Sequence, residues 1–505
     1  MSDPVRNFGS IAQDIPPEQT AIIDLSEFRP RLLSYADFRM SVHAVARGLV
    51  SHGVERGDRI GVLSLNRAEY LIILFGVALA GAVAVPLNVK LPADTVRELL
   101  RTDAVRLIFA EHQFTRLAPQ GTPVIRFGAE YRAFLKFGAF EAVPVRADDI
   151  SMQLYTSGSA GLPKGVLLTH AGQIWAAETL AEYRRLTAAD RTIIAAPFYH
   201  KNAIVAAKTA LASGGTMIVM PHFEAGNFAH VMEEWGVTIL TSVPTMMRLL
   251  LDDPCLPSDA VRQRVRVVSI DSAPAPERLL TDIAHAFPNA EIHLNYGVTE
   301  GGPIMFGWYH PDGKTRPLTS IGYPMLGCEW RLDGARPDEG EFWVRNPGVA
   351  KGYFNRPEAT ADSFEDGWYR TGDILRRDAD GWFCFVTRTD DLMVTGGENV
   401  FPQEIEETLE AHPAVLQAAV IGVRHEVKGE VPVAFVVLEE GRDADEAAVR
   451  QFALGNAPAY AHPSQIIFLP SLPLTSTHKV DKAVLTQLAQ DDTARNAKGG
   501  RAGHS

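Results

Sequence analysis

Residues 155–165 read YTSGSAGLPKG, with three glycines, three threonine or serine hydroxyls and one lysine in the stretch. Glycine lets a backbone approach an anion closely, here at Gly158, while Thr156, Ser157, Ser159 and Lys164 offer donors, so contact with phosphate is the chemistry such a loop can do. A Walker A loop, G-x-x-x-x-G-K-[ST], is the obvious rival. Gly158 and Lys164 have its separation, but Pro163 replaces the glycine before the lysine and Gly165 the hydroxyl after it, which argues against a P-loop NTPase. Taken alone, the segment could equally be a Gly/Ser-rich linker.

Four more stretches follow in order: NYGVTE (295–300), YRTGD (369–373), TRTDDLMVTGGENVFPQEIE (387–406) and PLTSTHKVDK (473–482). Each has a plain reading by itself. A Tyr or Glu packs or faces water, an Asp after Thr-Gly is a turn residue, an Asp-Asp pair is solvated, and Gly-Gly-Glu-Asn is a β-turn. Activating a carboxylic acid with ATP requires an adenine platform, anchors for ribose and phosphates, a metal ligand for the phosphate charge, and a cation near the reacting carboxylate. These residue types can supply that set together.

Ordered elements must hold those residues. Short apolar runs such as DRIGVLSLN, VRLIFAE, RTIIAAPF, GTMIVMP and VTILTSVP alternate with helix-length segments such as DFRMSVHAVARGLVSHG. That alternation is the pattern of parallel sheets covered by helices. ISMQLY predicts a strand before the glycine-rich loop, and GVLLTHAGQIWAAETLAEYRRL moves from strand into helix after it. The apolar stretch Tyr70–Val89 is divided by Gly81 and Pro86, so a buried helix ending near Ala80 and a short strand explain it better than a membrane span of about 20 apolar residues. From about Gly322 the texture becomes β-rich, and after Asp390 it becomes compact α+β. The expected fold is α/β: a large N-terminal domain of helix-covered β-sheets with a small β-rich subdomain (1–389), a small mobile α+β C-terminal domain (390–490), and a disordered tail (491–505).

With 505 residues the chain exceeds what one hydrophobic core usually supports. A net charge of −13 argues against a nucleic-acid surface. Three cysteines in no paired spacing give neither a disulfide framework nor a zinc site, and the opening MSDPVRNFGS has no secretory pattern, so a cytoplasmic location is expected.

In their order the five motifs resemble the series of the adenylate-forming superfamily, which includes acyl-CoA synthetases, luciferases and the adenylation domains of peptide synthetases. The similarity runs from about Leu33 to about Leu485, and the sequence around TDDLMVTGGENVFPQEIE looks most like aryl- and medium-chain acyl-CoA ligases, including the 4-chlorobenzoate and 4-coumarate types. The resemblance implies that Tyr296 stacks on adenine, Thr299 bonds the α-phosphate, and Glu300 with Thr156 holds Mg²⁺. It implies that Asp373 anchors the ribose, that Arg388 adds a nucleotide contact, and that Ser272, Ala273 and Pro274 border the adenine. Lys479 would bridge the substrate carboxylate and the α-phosphate in the transition state, in a turn where His478 replaces the family's glycine. Gly397 and Glu398 lie in the loop that would line a pantetheine tunnel, and Asp390 maps to the hinge. His200, Asn202, Asp271 and Gly297 map to the acyl pocket, where Asp271 stands in place of a common glycine. A buried aspartate needs a partner: a turn toward solvent, a backbone donor, or a polar group on the substrate.

The implied reaction has two halves. Acid and ATP with Mg²⁺ give an acyl-adenylate and pyrophosphate, and CoA then attacks the anhydride to give a thioester and AMP. An aromatic or medium-chain carboxylic acid is the expected substrate. Stand-alone loading of an acyl carrier protein is the alternative, and luciferase-like oxygenation is another. No nucleic-acid partner is expected, while a homodimer and a lysine acetyltransferase acting on Lys479 stay open as protein partners.

Overall fold

The computed structural model describes residues 4–156, 163–302, 305–395, 398–425, 429–456, 462–475 and 479–499. The chain folds as two units. The first takes Met1–Arg331, Trp343–Thr371 and Asp380–Trp382; the second takes Leu332–Phe342, Gly372–Ala379 and Phe383–Ser505.

The first unit contains two large sheets. One has seven strands in the order Glu291–Leu294, Val267–Ile270, Ile239–Ser242, Arg191–Ile194, Thr216–Val219, Thr20–Asp24 and Arg31–Ser34. Its pairs are parallel except the last. The other runs Lys164–Thr169, Ile150–Thr156, Val83–Pro86, Arg59–Leu63, Leu107–Ala110 and Val124–Arg126. Parallel strands need crossovers, which are largely helical here. The helix Ala68–Leu79 is buried along its whole length, as a segment apolar on every face must be. It leads into the strand Val83–Pro86, as the division at Gly81 predicts. Among the described residues no helix is long and apolar enough to cross a membrane.

The second unit carries a sheet in which Val415–His425 pairs antiparallel with Gly429–Leu438, flanked by Met393–Thr395 and Gln465–Phe468. Helices Pro402–Glu410 and Glu446–Asn456 bury Ile405, Leu409, Val449 and Ala453 in one apolar cluster, and Leu485 and Ala489 enter a second with Phe435. That second cluster anchors the start of the C-terminal helix, Lys482–Gly499, which Leu485 and Ala489 fix against the sheet.

The cysteines are all free: Cys255 is exposed, and Cys328 and Cys384 are partly buried. Burial pushes the Cys328 thiol up to about 12 and raises that of Cys384.

Candidate active site

The glycine-rich loop closes a hairpin. Thr156 and Lys164 are direct cross-strand partners in the antiparallel pair Ile150–Thr156 and Lys164–Thr169, so the loop leaves and returns at one place. Ser157, Gly158 and Ser159 lie outside the described residues. At the hairpin mouth Thr156 Oγ1 donates to Glu300 Oε1 at 2.9 Å, and Tyr353 OH donates to the same oxygen at 3.1 Å. The Lys164 ammonium sits 4.6 Å from the centre of the Tyr353 ring. Burial and the Glu300 carboxylate push the Tyr353 phenol up, so it stays a donor. Thr156, Lys164 and Glu300 are thus brought together from two distant motifs, and Tyr353 joins them from the segment KGYFN.

Glu300 ends the stretch Asn295–Glu300, which follows the strand Glu291–Leu294 at the edge of the seven-stranded sheet. Tyr296 is buried edge-on against Phe306, Gly297 is exposed, and Thr299 is partly buried. The carbonyls around Glu300 are held from three directions. Lys201 Nζ donates to the carbonyls of Val298 and Gly302, the latter at 2.8 Å. The Ala350 N–H donates to Glu300 O at 2.8 Å, and Asn346 Nδ2 to Gly301 O at 2.9 Å. Gly302 has φ 95°, and a Cβ there would lie 2.8 Å from Asn346 Oδ1, so only glycine lets the loop close. Beneath it is a small cavity lined by Lys201, Lys208, Gln173, Thr299 and Gly302. Lys208 Nζ donates to Gln173 Oε1 at 2.8 Å, and burial pulls its ammonium down to about 7.

His200 caps the helix Lys201–Ser213 and packs its ring 4.8 Å from that of Tyr199. Asn202 follows in the first turn, with its buried Nδ2 making no hydrogen bond to the described residues. Asp271 is partly exposed, and two side chains donate to its carboxylate. Asn295 Nδ2 donates to its Oδ1 at 3.0 Å and Ser269 Oγ to its Oδ2 at 3.3 Å. Burial pushes the Asp271 carboxyl above its usual range, opposed by Arg184, Asn295, Ser269 and Lys201. The other amide atom, Asn295 Oδ1, is buried without a hydrogen bond among the described residues. Ser272 next to Asp271 has φ 74°, a left-handed conformation that a non-glycine residue rarely adopts, and both Ser272 and Pro274 are exposed or partly so, as is Ala273.

In the second unit Asp373 is buried in the strand Trp368–Arg377, opposite Arg388 in the strand Phe383–Arg388. It is a strand residue, with a carboxylate 3.5 Å from the Arg388 guanidinium. Gly372 before it has φ 72°. Lys479 closes a turn in which its carbonyl accepts from the Thr475 N–H at 2.7 Å. Although Lys479 is solvent-accessible, displaced water holds its ammonium below the ordinary value, with Arg388 acting the same way and Asp373 in opposition. Asp390 sits in a single 3₁₀ turn, Thr389–Asp391. Gly397 and the side chain of Glu398 lie outside the described residues. Lys482, which reads in the sequence as a solvated helix residue, pairs with Asp391 at 2.7 Å.

Sequence reasoning missed Lys201, Asn346 and Tyr353. Two of them act on backbone carbonyls, which leave no trace in side-chain identity; an aromatic after Lys-Gly was the one available signal.

The chain matches the family model for the AMP-binding enzyme over residues 11–354 and that for the AMP-binding enzyme C-terminal domain over residues 404–479. It is 33% identical to a feruloyl-CoA synthase of Amycolatopsis sp. over 470 residues, covering 89% of this chain and 92% of the relative. It is 32% identical to an indoleacetate–CoA ligase of Aromatoleum aromaticum over 503 residues, covering 95% and 97%. Among solved structures, ATP-bound MatB from Rhodopseudomonas palustris superposes with a TM-score of 0.88 at 29% identity, covering 96% of this chain and 99% of that one. With a family match over more than half its length and relatives above 30% identity over nearly all of it, the chain belongs to the AMP-binding enzyme family, the adenylate-forming enzymes, and is of the acyl-CoA synthetase type.

Proposed function

We propose that this AMP-forming acid–CoA ligase takes an aromatic or medium-chain carboxylic acid, with a preference for one bearing a polar group on its tail. The class rests on the Glu300 carboxylate, held by two hydroxyls at the mouth of the glycine-rich hairpin. An ion such as Mg²⁺ asks for hard oxygen ligands, keeps several waters and is bound through one or two carboxylates plus phosphate oxygens. Glu300 beside Thr156 fits that description, and among the described residues no cluster of three or more His, Cys, Asp or Glu competes for a metal. When bound, the ion would neutralise charge on the phosphates. Thr156 and Tyr353 orient Glu300, Thr299 donates to the α-phosphate, Tyr296 offers a ring to adenine, and Asp373 accepts from the ribose hydroxyls. Lys479 supplies the cation as the acid's carboxylate attacks the α-phosphorus and pyrophosphate leaves. The CoA thiol then attacks the acyl carbon, and AMP leaves.

The polar preference rests on Asn202 Nδ2 and Asn295 Oδ1, a buried donor and a buried acceptor left without partners among the described residues, and on the Asp271 carboxylate that Asn295 contacts. Such groups are costly unless something satisfies them, and a site built for a polar group rejects analogues that lack it. The relatives named for feruloyl-CoA and indoleacetate support an aromatic acid. The test is a panel of carboxylic acids, each with and without a hydroxyl on the tail, scored by pyrophosphate release and then by CoA thioester. Hydroxylated acids should lead, and Asp271→Gly should erase their lead. An unchanged profile in that variant rejects the pocket assignment, and turnover with a carrier protein but not with free CoA rejects the acceptor.

A further inference from the structure

Lysine is the wrong charge for the first turn of a helix, where the macrodipole favours anions by about 0.3–1 kcal/mol. Lys201 stands there nonetheless, as the first residue of the helix Lys201–Ser213. Its ammonium is spent on two backbone carbonyls, those of Val298 and Gly302, which bracket Thr299, Glu300 and Gly301. The carbonyls of Glu300 and Gly301 are already held by Ala350 and Asn346. Lys201 therefore supplies the contacts that close the loop at both ends. Two carbonyl oxygens thus converge on one cation that is tethered to the chain.

We propose that Lys201 is a built-in cation that positions the Thr299–Glu300 backbone for the nucleotide's phosphates and their metal ion, and that it ties this loop to the helix turn carrying His200 and Asn202. The inference rests on Glu300 and Thr299 being the metal and phosphate residues. Lys201 is proposed to act through the backbone it holds, which makes it a positioning residue. Its hydrogen bonds are charge-assisted, and losing them leaves two carbonyls to be satisfied some other way.

The experiment measures ATP binding by calorimetry across a magnesium series, without acid, for wild type, Lys201→Ala, Lys201→Met and Glu300→Gln, with thermal unfolding of each. Lys201→Ala should bind MgATP about tenfold or more weakly, in line with a charged hydrogen bond. Methylammonium or potassium should restore a large part of that loss by occupying the vacated position, while tetramethylammonium, which has no N–H and is too bulky, should not. Lys201→Met fills the space and should show the loss without the rescue. Binding equal to wild type in both lysine variants overturns the proposal, as does a loss in Lys201→Ala that methylammonium leaves untouched. Should the alanine variant not fold, the methionine variant decides: weakened binding with an intact thermal transition supports the proposal, and unchanged binding rejects it. Glu300→Gln separates the two ideas. If it leaves the magnesium dependence unaltered, the metal role of Glu300 falls, while the methylammonium arm still judges Lys201.

Discussion

Lys479 is held by its own turn, through the Thr475 N–H on its carbonyl, and among the described residues no carboxylate pairs with its ammonium. That leaves the ammonium available to a ligand, in the electrostatic company of Asp373 and Arg388. Lys479→Ala should slow acyl-adenylate formation by about 10²–10³, the usual result of removing one preorganised charge contact of about 2.7–4 kcal/mol. Thioester formation from pre-made acyl-adenylate should survive, since that half has no need of a cation at the α-phosphate. Stopped assays of the two half-reactions check this, and equal loss of both would remove Lys479 from its role. Acetylation would discard the same charge, so Lys479→Gln should behave like the alanine variant.

The helix Lys201–Ser213 shows what an element does beyond carrying its motif. Its N-terminus presents His200, Lys201 and Asn202, while two turns later Lys208 lies 1% exposed with Gln173 as its hydrogen-bond acceptor. Burial lowers the Lys208 pKa from its ordinary value to about 7. Between there and about 10.5 the unfolded chain holds a proton that the folded chain does not, so stability rises with pH across that window, by up to about 1.4 kcal/mol per unit. Below about 7 both forms are protonated and the slope from this group vanishes. Lys208→Met should remove the slope, and denaturant titrations at several pH values on both proteins give it by difference; parallel pH profiles would show that Lys208 is not neutralised by folding. The motif series was legible because its side chains do the chemistry themselves. Elements were legible where apolar period and punctuation agree, as at Ala68–Leu79 and Val83–Pro86. Lys201, Asn346 and Tyr353 were not, because each acts on residues 45 or more positions away and only tertiary packing brings them there.

We propose that the two half-reactions, with their different needs, are served by two positions of the C-terminal part of the molecule, with Asp390 as the pivot. Asp391 is engaged by Lys482, whereas Asp390 lies at the centre of the turn Thr389–Asp391. Proline fixes φ near −65°, a value that a 3₁₀ turn already uses. Asp390→Pro should therefore keep the arrangement compatible with that turn and forbid the other; adenylate formation, the step the newly folded chain performs first, is expected to persist while CoA thioester formation falls steeply. Wild-type rates in both halves would place the pivot elsewhere. Such a motion needs a reporter, and the distribution of thiols provides for one. Cys255 is exposed, while Cys328 and Cys384 are partly buried with thiolates made costly by that burial. Because only the thiolate attacks an alkylating dye, a brief exposure at neutral pH marks the first unit at Cys255, and a fluorophore can be set on the native chain without first stripping it of cysteine.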